Sequence, residues 1–152
     1  GQTPLVSGKD HKVAALLEGV ETDPHDPHFA GYFRCFNEQK FYEAHDVLEA
    51  LWLQDRNGPD GDFFKGLIQF AGAFVHLQKK RPRPAWKLFR LCTIYLAKYP
   101  SPHLALDVAN VLRLAKRWGE AAQAVECEGG LLVKEQPPKL SLSGFMSFKF
   151  QV

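Results

Sequence analysis

The stretch Phe36-Asn37-Glu38-Gln39-Lys40-Phe41-Tyr42-Glu43-Ala44-His45-Asp46-Val47-Leu48-Glu49-Ala50-Leu51-Trp52 decides how this chain is read. At about 100° per residue, Phe41, His45, Leu48, Glu49 and Trp52 fall within an arc of roughly 100° on one helix, with Glu43, Asp46, Ala50 and Gln54 on the opposite side. That pattern predicts burial of the first set, and so places a histidine and a glutamate where apolar residues belong. A buried carboxylate is costly unless it is paired, hydrogen-bonded or metal-bound, so the rest of the chain is expected to supply partners for Glu49.

Working outward, Asp55 to Asp62 reads as a loop, with Asp62 expected to cap the next helix. That helix, about Phe63 to Lys79, is apolar around most of its circumference and so belongs in the middle of a bundle. Its exception is a narrow stripe of Lys65, Gln69, Gly72 and His76, spaced four, three and four residues apart. Upstream, Asp26-Pro27 predicts a helix that opens on an Asp cap and runs through Phe29, Phe33 and Phe36. A short candidate helix, Lys12 to Glu18, precedes it. Downstream of the Arg81-Pro82-Arg83-Pro84 break, Ala85, Leu88, Phe89, Cys92 and Leu96 mark a fourth helix. Ser101-Pro102 or Asp107 is expected to cap a fifth, along which Val108, Val111, Leu112, Ala115 and Trp118 form one side. The reading is all-α: residues 1–25 an N-terminal segment with a short helix, 26–125 a single bundle of about five helices, and 126–152 an extended C-terminal tail. Phe145, Phe148 and Phe150 in that tail are expected to pack on the bundle or on a neighbouring subunit.

At 152 residues the chain has room for one ordinary domain, and 45% hydrophobic with 24% charged residues matches an average globular composition rather than a disordered one. A net charge of +2 gives no general electrostatic reason to expect nucleic acid or an anionic membrane as partner. The basic run Lys79-Lys80-Arg81-Pro82-Arg83 reads as a solvated turn. Cys35, Cys92 and Cys127 are odd in number and widely spaced, which argues against a disulfide framework and for a cytoplasmic protein. The longest apolar stretch, Gly66 to Leu77, is interrupted by Gln69 and His76, so neither a membrane span nor a signal peptide is expected. Oligomeric state stays open, a homo-oligomer among the states admitted.

The acceptor-rich line of His45 and Glu49, with Tyr42 beside it, and the donor-rich line of Lys65, Gln69 and His76 each supply what the other lacks, so they are expected to meet across one interface. Gly72 at that point allows either close helix approach or a small cavity. Three readings follow. A purely structural network would fix helix register. A pocket lined by Tyr42, His45, Glu49, Trp52, Lys65, Gln69 and His76 would bind a small polar ligand, and His45 and Glu49 would be the candidate catalytic pair, exchanging a proton in a dry site. A single metal ion would use His45 and Glu49, one turn apart, with His76 as a third ligand, although Lys65 nearby opposes a cation. The Glu-x-x-His pattern of dinuclear helical bundles is missing. No serine in a strained turn, Gly-rich phosphate loop or suggestive Cys-His pair points to covalent catalysis or nucleotide hydrolysis, and the residues name neither reaction, substrate nor cofactor.

The motif His-x-x-x-Glu-x-x-Trp at His45, Glu49 and Trp52, preceded by Phe36-Asn37 and Phe41-Tyr42-Glu43-Ala44, resembles that of domain of unknown function family 309. The Gly66-Leu67-Ile68-Gln69 motif, followed by His76, resembles the family's next helix. The resemblance extends over about residues 30 to 90 and implies a small cytoplasmic helical bundle of no established activity. Pro84-Ala85 stands where the family usually has Gly-Ala.

Overall fold

The computed structural model describes residues 8–19, 25–128 and 135–143. Among them the chain forms six α-helices and no β-strand: α1 (Gly8–Leu16), α2 (Pro27–Asn37), α3 (Phe41–Gln54), α4 (Gly61–Gln78), α5 (Pro82–Leu96) and α6 (Val108–Glu128). These are the five bundle helices expected and the short N-terminal one.

Local chemistry sets the boundaries. Asp26 caps α2 by accepting from the His28 N–H at 2.8 Å, with Pro27 in the first helical position. Asp62 does not cap α4, contrary to expectation. The helix begins one residue earlier, and Asp62 sits in its first turn, where its carboxylate takes Lys98 Nζ at 2.6 Å. Gly61 is required there, because a Cβ would lie 2.1 Å from the Arg56 carbonyl oxygen. Both candidates for the α6 cap serve: Asp107 Oδ1 accepts from the Asn110 N–H at 3.0 Å and Ser101 Oγ from the Ala109 N–H at 3.1 Å.

Each helix from α2 onward packs on its sequence neighbour, α6 returning to α5 after the longer connection of residues 97–107; α1 lies on α3. α4 is the centre, flanked by α3 and α5. Its Phe70 stacks on Phe36 of α2 at 5.4 Å, and its Phe74 meets Phe41, Phe89 and Trp118 at 5.0, 5.1 and 5.2 Å. The Tyr32 hydroxyl, fully buried, donates to the Leu67 carbonyl at 2.7 Å and ties α2 to α4. Cys35 and Cys92 are buried free thiols, and burial pushes the first up to about 11 and the second higher still, so both behave as small apolar groups.

Residues 135–143 lie against the helices. Leu140 and Leu142 are buried, and the Asn37 carboxamide both donates to the Leu140 carbonyl at 2.6 Å and accepts from its N–H at 2.7 Å. Phe145, Phe148 and Phe150 lie outside the described residues. No helix among the described residues is long and apolar enough to cross a membrane.

Candidate functional site

The core face of α3 is Phe41, Ala44, Val47 and Leu48, all essentially inaccessible. His45, Glu49 and Trp52 lie on its flank toward α4. The expected deep burial of this trio is therefore corrected: the side chains of His45 and Glu49 are 31% and 26% exposed. Asp46, assigned to the solvent side, is the buried carboxylate, at 4% exposed. The reason is α1. It packs on α3, with Lys12 Nζ 5.1 Å above the Tyr42 ring, and Asp46 stands one turn from Tyr42 on the same side. α3 is thus covered on two faces, where a single-face helix reading allows one.

Asp46 and His45 are adjacent in sequence and in contact, His45 Nδ1 lying 3.2 Å from Asp46 Oδ1. This favours the tautomer protonated on Nδ1 and leaves Nε2 toward Glu49, whose Oε2 is 3.9 Å away. Tyr42 stacks on the His45 ring at 6.3 Å.

The facing line on α4 is poorer in partners. Lys65 Nζ sits 4.6 Å over the Trp52 ring and is a contact that crosses between the helices. Gln69 is 8% exposed, and its Oε1 is buried with no hydrogen-bond partner. His76 Nδ1 is likewise buried and unpartnered. Desolvation first, then the positive charges of Arg81 and Lys79, hold the His76 imidazole below its ordinary range, which favours the neutral ring.

Between the two lines runs a groove of about 430 Å³. All seven residues read from the sequence line it: Tyr42, His45, Glu49, Trp52, Lys65, Gln69 and His76. Sequence reasoning did not assign Ile68, Val75, Lys79 and Leu88 to it, of which the first two and Leu88 form an apolar wall. No periodic signal marks Leu88, which arrives from α5; Lys79 continues the stripe three residues past His76. Gly72 lines the groove, with open space beside its Cα but for Leu88 Cδ1, 3.3 Å from where a Cβ would stand. The close helix approach occurs instead at Gly66, where a Cβ would fall 2.8 Å from Leu96 Cγ.

His45, Glu49 and His76 do not converge as ligands: among the described residues no three His, Cys, Asp or Glu side chains are grouped to hold a metal ion. The basic run divides, Lys79 reaching the groove, Lys80 and Arg81 facing solvent, and Arg83 lying 3.6 Å from Glu126. Trp118, on the side of the fifth helix marked by Val108 and Val111, is core, and Trp86 is half-buried and donates its indole N–H to Glu126. His103, which carried no argument in the sequence, closes on Asp60 Oδ1 at 2.7 Å and joins the loop before α4 to that before α6.

Fold and site define a small all-helical domain with a mixed polar and apolar groove between its two central helices. Residues 29–88 match the family described as Domain of unknown function (DUF309), in agreement with the resemblance read from the motifs. That span holds α2 but for its first two residues, α3, α4 and about the first half of α5, and with them every residue that lines the groove. No curated protein and no solved structure matches the chain.

Proposed function

We propose that the α3–α4 groove is a binding site for a small polar organic molecule. The observation that carries this reading is the pair of buried, unpartnered polar atoms on its α4 side, Gln69 Oε1 and His76 Nδ1. Each such atom costs about 1–3 kcal/mol when left unsatisfied, so an occupant that meets them is stabilised by what the empty protein lacks. Gln69 lines the groove, and rotation of its terminal torsion turns its oxygen to the wall. A space of about 430 Å³ falls in the range of small-molecule sites and combines an apolar wall with a few convergent polar groups, as such sites do.

A second reading has its own support. His45 is engaged within α3 by Asp46 and Glu49, as in a helical interaction module whose polar line is only structural. A single metal ion fits less well than either, because the ligand candidates do not converge and Lys65 stands beside them. Catalysis by His45 and Glu49 would need the dry site that the exposure of both side chains argues against.

The test is a thermal-shift panel of small carboxylates, amines and amides on the full chain, repeated on Glu49→Gln and Gln69→Leu. At ten times Kd an occupant adds about 1.4 kcal/mol, a shift of a few degrees. The reading expects at least one chemical class to shift the wild type and to lose that effect in the variants. A panel that shifts nothing, together with a Gln69→Leu variant less stable than wild type, supports the structural network instead.

A further inference from the structure

We infer that the groove takes a small organic anion, its carboxylate or phosphate seated at the end formed by His76 and Lys79, with Arg81 on the adjoining turn, and its apolar body along Val75 and Leu88 toward Ile68. This rests on the binding reading above and adds the polarity and direction of the occupant.

The loop from α3 to α4 is short and Lys65 lies over Trp52, so the two helices run antiparallel and their residues can be matched turn by turn. Glu49 then falls opposite Gln69, and Tyr42 opposite His76. The groove's one carboxylate is thereby two turns of α4, about 10 Å, from His76. The opposite end is cationic. Lys79 lines the groove, and the turn that follows holds Arg81 close, its backbone N–H donating to the His76 carbonyl at 2.8 Å. From α3 that end faces Tyr42 and His45, and from α5 it faces the uncharged Leu88. The first turn of α5 carries no acidic residue, and its start at Arg81 has no side-chain cap. Pro82 and Pro84 have no N–H to offer, so an anion here meets side chains rather than a backbone cradle.

Lys65, the groove's other cation, is a weaker anchor because its ammonium already lies against Trp52. Beside the cationic end Val75 is buried and Leu88 half-buried, and buried Ile68 continues this apolar wall two turns along α4 toward Glu49. His76 is a built-in reporter. Its neutral form is favoured first by desolvation and then by the charges of Arg81 and Lys79; an anion offsets the second of these, so occupation of this end raises its proton affinity.

The experiment titrates the full chain with hexanoate, hexyl phosphate and the neutral hexanamide at constant ionic strength, following the His76 imidazole and Gln69 side-chain amide by NMR. The inference expects hexanoate or hexyl phosphate to perturb both signals and to raise the His76 pKa, with hexanamide at least tenfold weaker. Whichever anion binds more tightly identifies the charged group. Lys79→Gln with Arg81→Gln, both at exposed or rim positions, is expected to weaken the anion about tenfold, and hexanoate to bind about fifteenfold more tightly than butyrate, as two buried methylenes require. Affinity should rise as pH falls through the His76 pKa and lose that dependence in His76→Gln. Hexanamide binding as well as hexanoate, or an unaffected double variant, overturns the anion while leaving the groove a binding site. Silence at Gln69 and His76 with all three compounds overturns the anion too; if the amines and other solutes of the thermal-shift panel are also silent, the binding reading falls with it.

Discussion

Gly66→Ala and Gly72→Ala put the same methyl group on the same helix at two positions that the structure treats in opposite ways. At Gly66 the new Cβ would stand 2.8 Å from Leu96 Cγ, 2.9 Å from Leu96 Cδ2 and 3.4 Å from Tyr95 Cβ. Leu96 is fully buried, so it has no space to withdraw into. Overpacking of this kind costs about 1–3 kcal/mol, against about 1 kcal/mol gained from replacing glycine in a helix interior. The net expectation is a loss of about 1 kcal/mol, and of about 2 at most. At Gly72 the one close atom is Leu88 Cδ1 at 3.3 Å, the tip of a half-buried side chain that borders the groove and can turn within it. The helix term then prevails, and Gly72→Ala should gain about 0.5 kcal/mol. Urea denaturation reads the difference directly, a gap of about 1.5 kcal/mol at unchanged m-value. Equal stabilities, or a more stable Gly66→Ala, would refute the assignment of close packing to Gly66 and open space to Gly72.

Asn37→Ala removes two hydrogen bonds to the Leu140 backbone and should cost about 2 kcal/mol, with faster hydrogen exchange at the Leu140 amide as the local sign; unchanged exchange there would count against the anchor. Tyr32→Phe leaves the Leu67 carbonyl without its buried donor and should cost about 1 kcal/mol in the same denaturation assay, no loss being the contrary result. Because the folded protein holds the His76 imidazole below its unfolded value, the unfolded chain takes up that proton first. Its contribution to stability is therefore present above the unfolded value, begins to be lost as pH falls through 6.5, and is gone once pH is below the folded value. His76→Gln should show a shallower decline between pH 7 and 5, and parallel curves would remove His76 from the acid limb.

The helices were legible because their punctuation is strong. Asp26-Pro27 opens α2 by a capping bond and a residue with no N–H to waste, and the apolar circumference of α4 means what it says, a helix enclosed by neighbours. The groove residues were legible for a related reason, since polar side chains on a helix flank keep their spacing whether or not the flank is fully buried. What periodicity misjudged was depth. It centred the buried arc of α3 on His45 and Glu49, whereas the inaccessible residues are Ala44, Val47 and Leu48 with Phe41, displaced to one side. It sent Asp46 to solvent because a pattern within α3 does not record what packs on it from elsewhere in the chain, and α1 packs on α3 beside Tyr42, one turn from Asp46. Leu88 was missed similarly, its place in the groove being a property of the α4–α5 crossing.

The two walls of the groove are not equally provided for, and that asymmetry weighs on the choice between ligand and scaffold. On α3, His45 has Asp46 on one nitrogen and Glu49 beside the other, so the line is largely satisfied by its own helix. On α4, Gln69 and His76 each keep a buried polar atom without a partner. A network whose task is to fix helix register gains from satisfying both sides, and leucine at Gln69 would remove the deficit at no cost in packing type. An occupant that pairs with the His76 ring and donates to Gln69 Oε1 would complete the α4 side without disturbing the α3 side; a carboxylate meets the first need by accepting from a protonated Nδ1, and its alkyl chain lies beside Gln69. The unsatisfied wall, rather than the motif histidine and glutamate, is accordingly where an occupant would be felt first. Under the anion reading, the His76 ring and Gln69 carboxamide should respond at lower hexanoate concentration than His45, and a first response at His45 would move the site back to the α3 line.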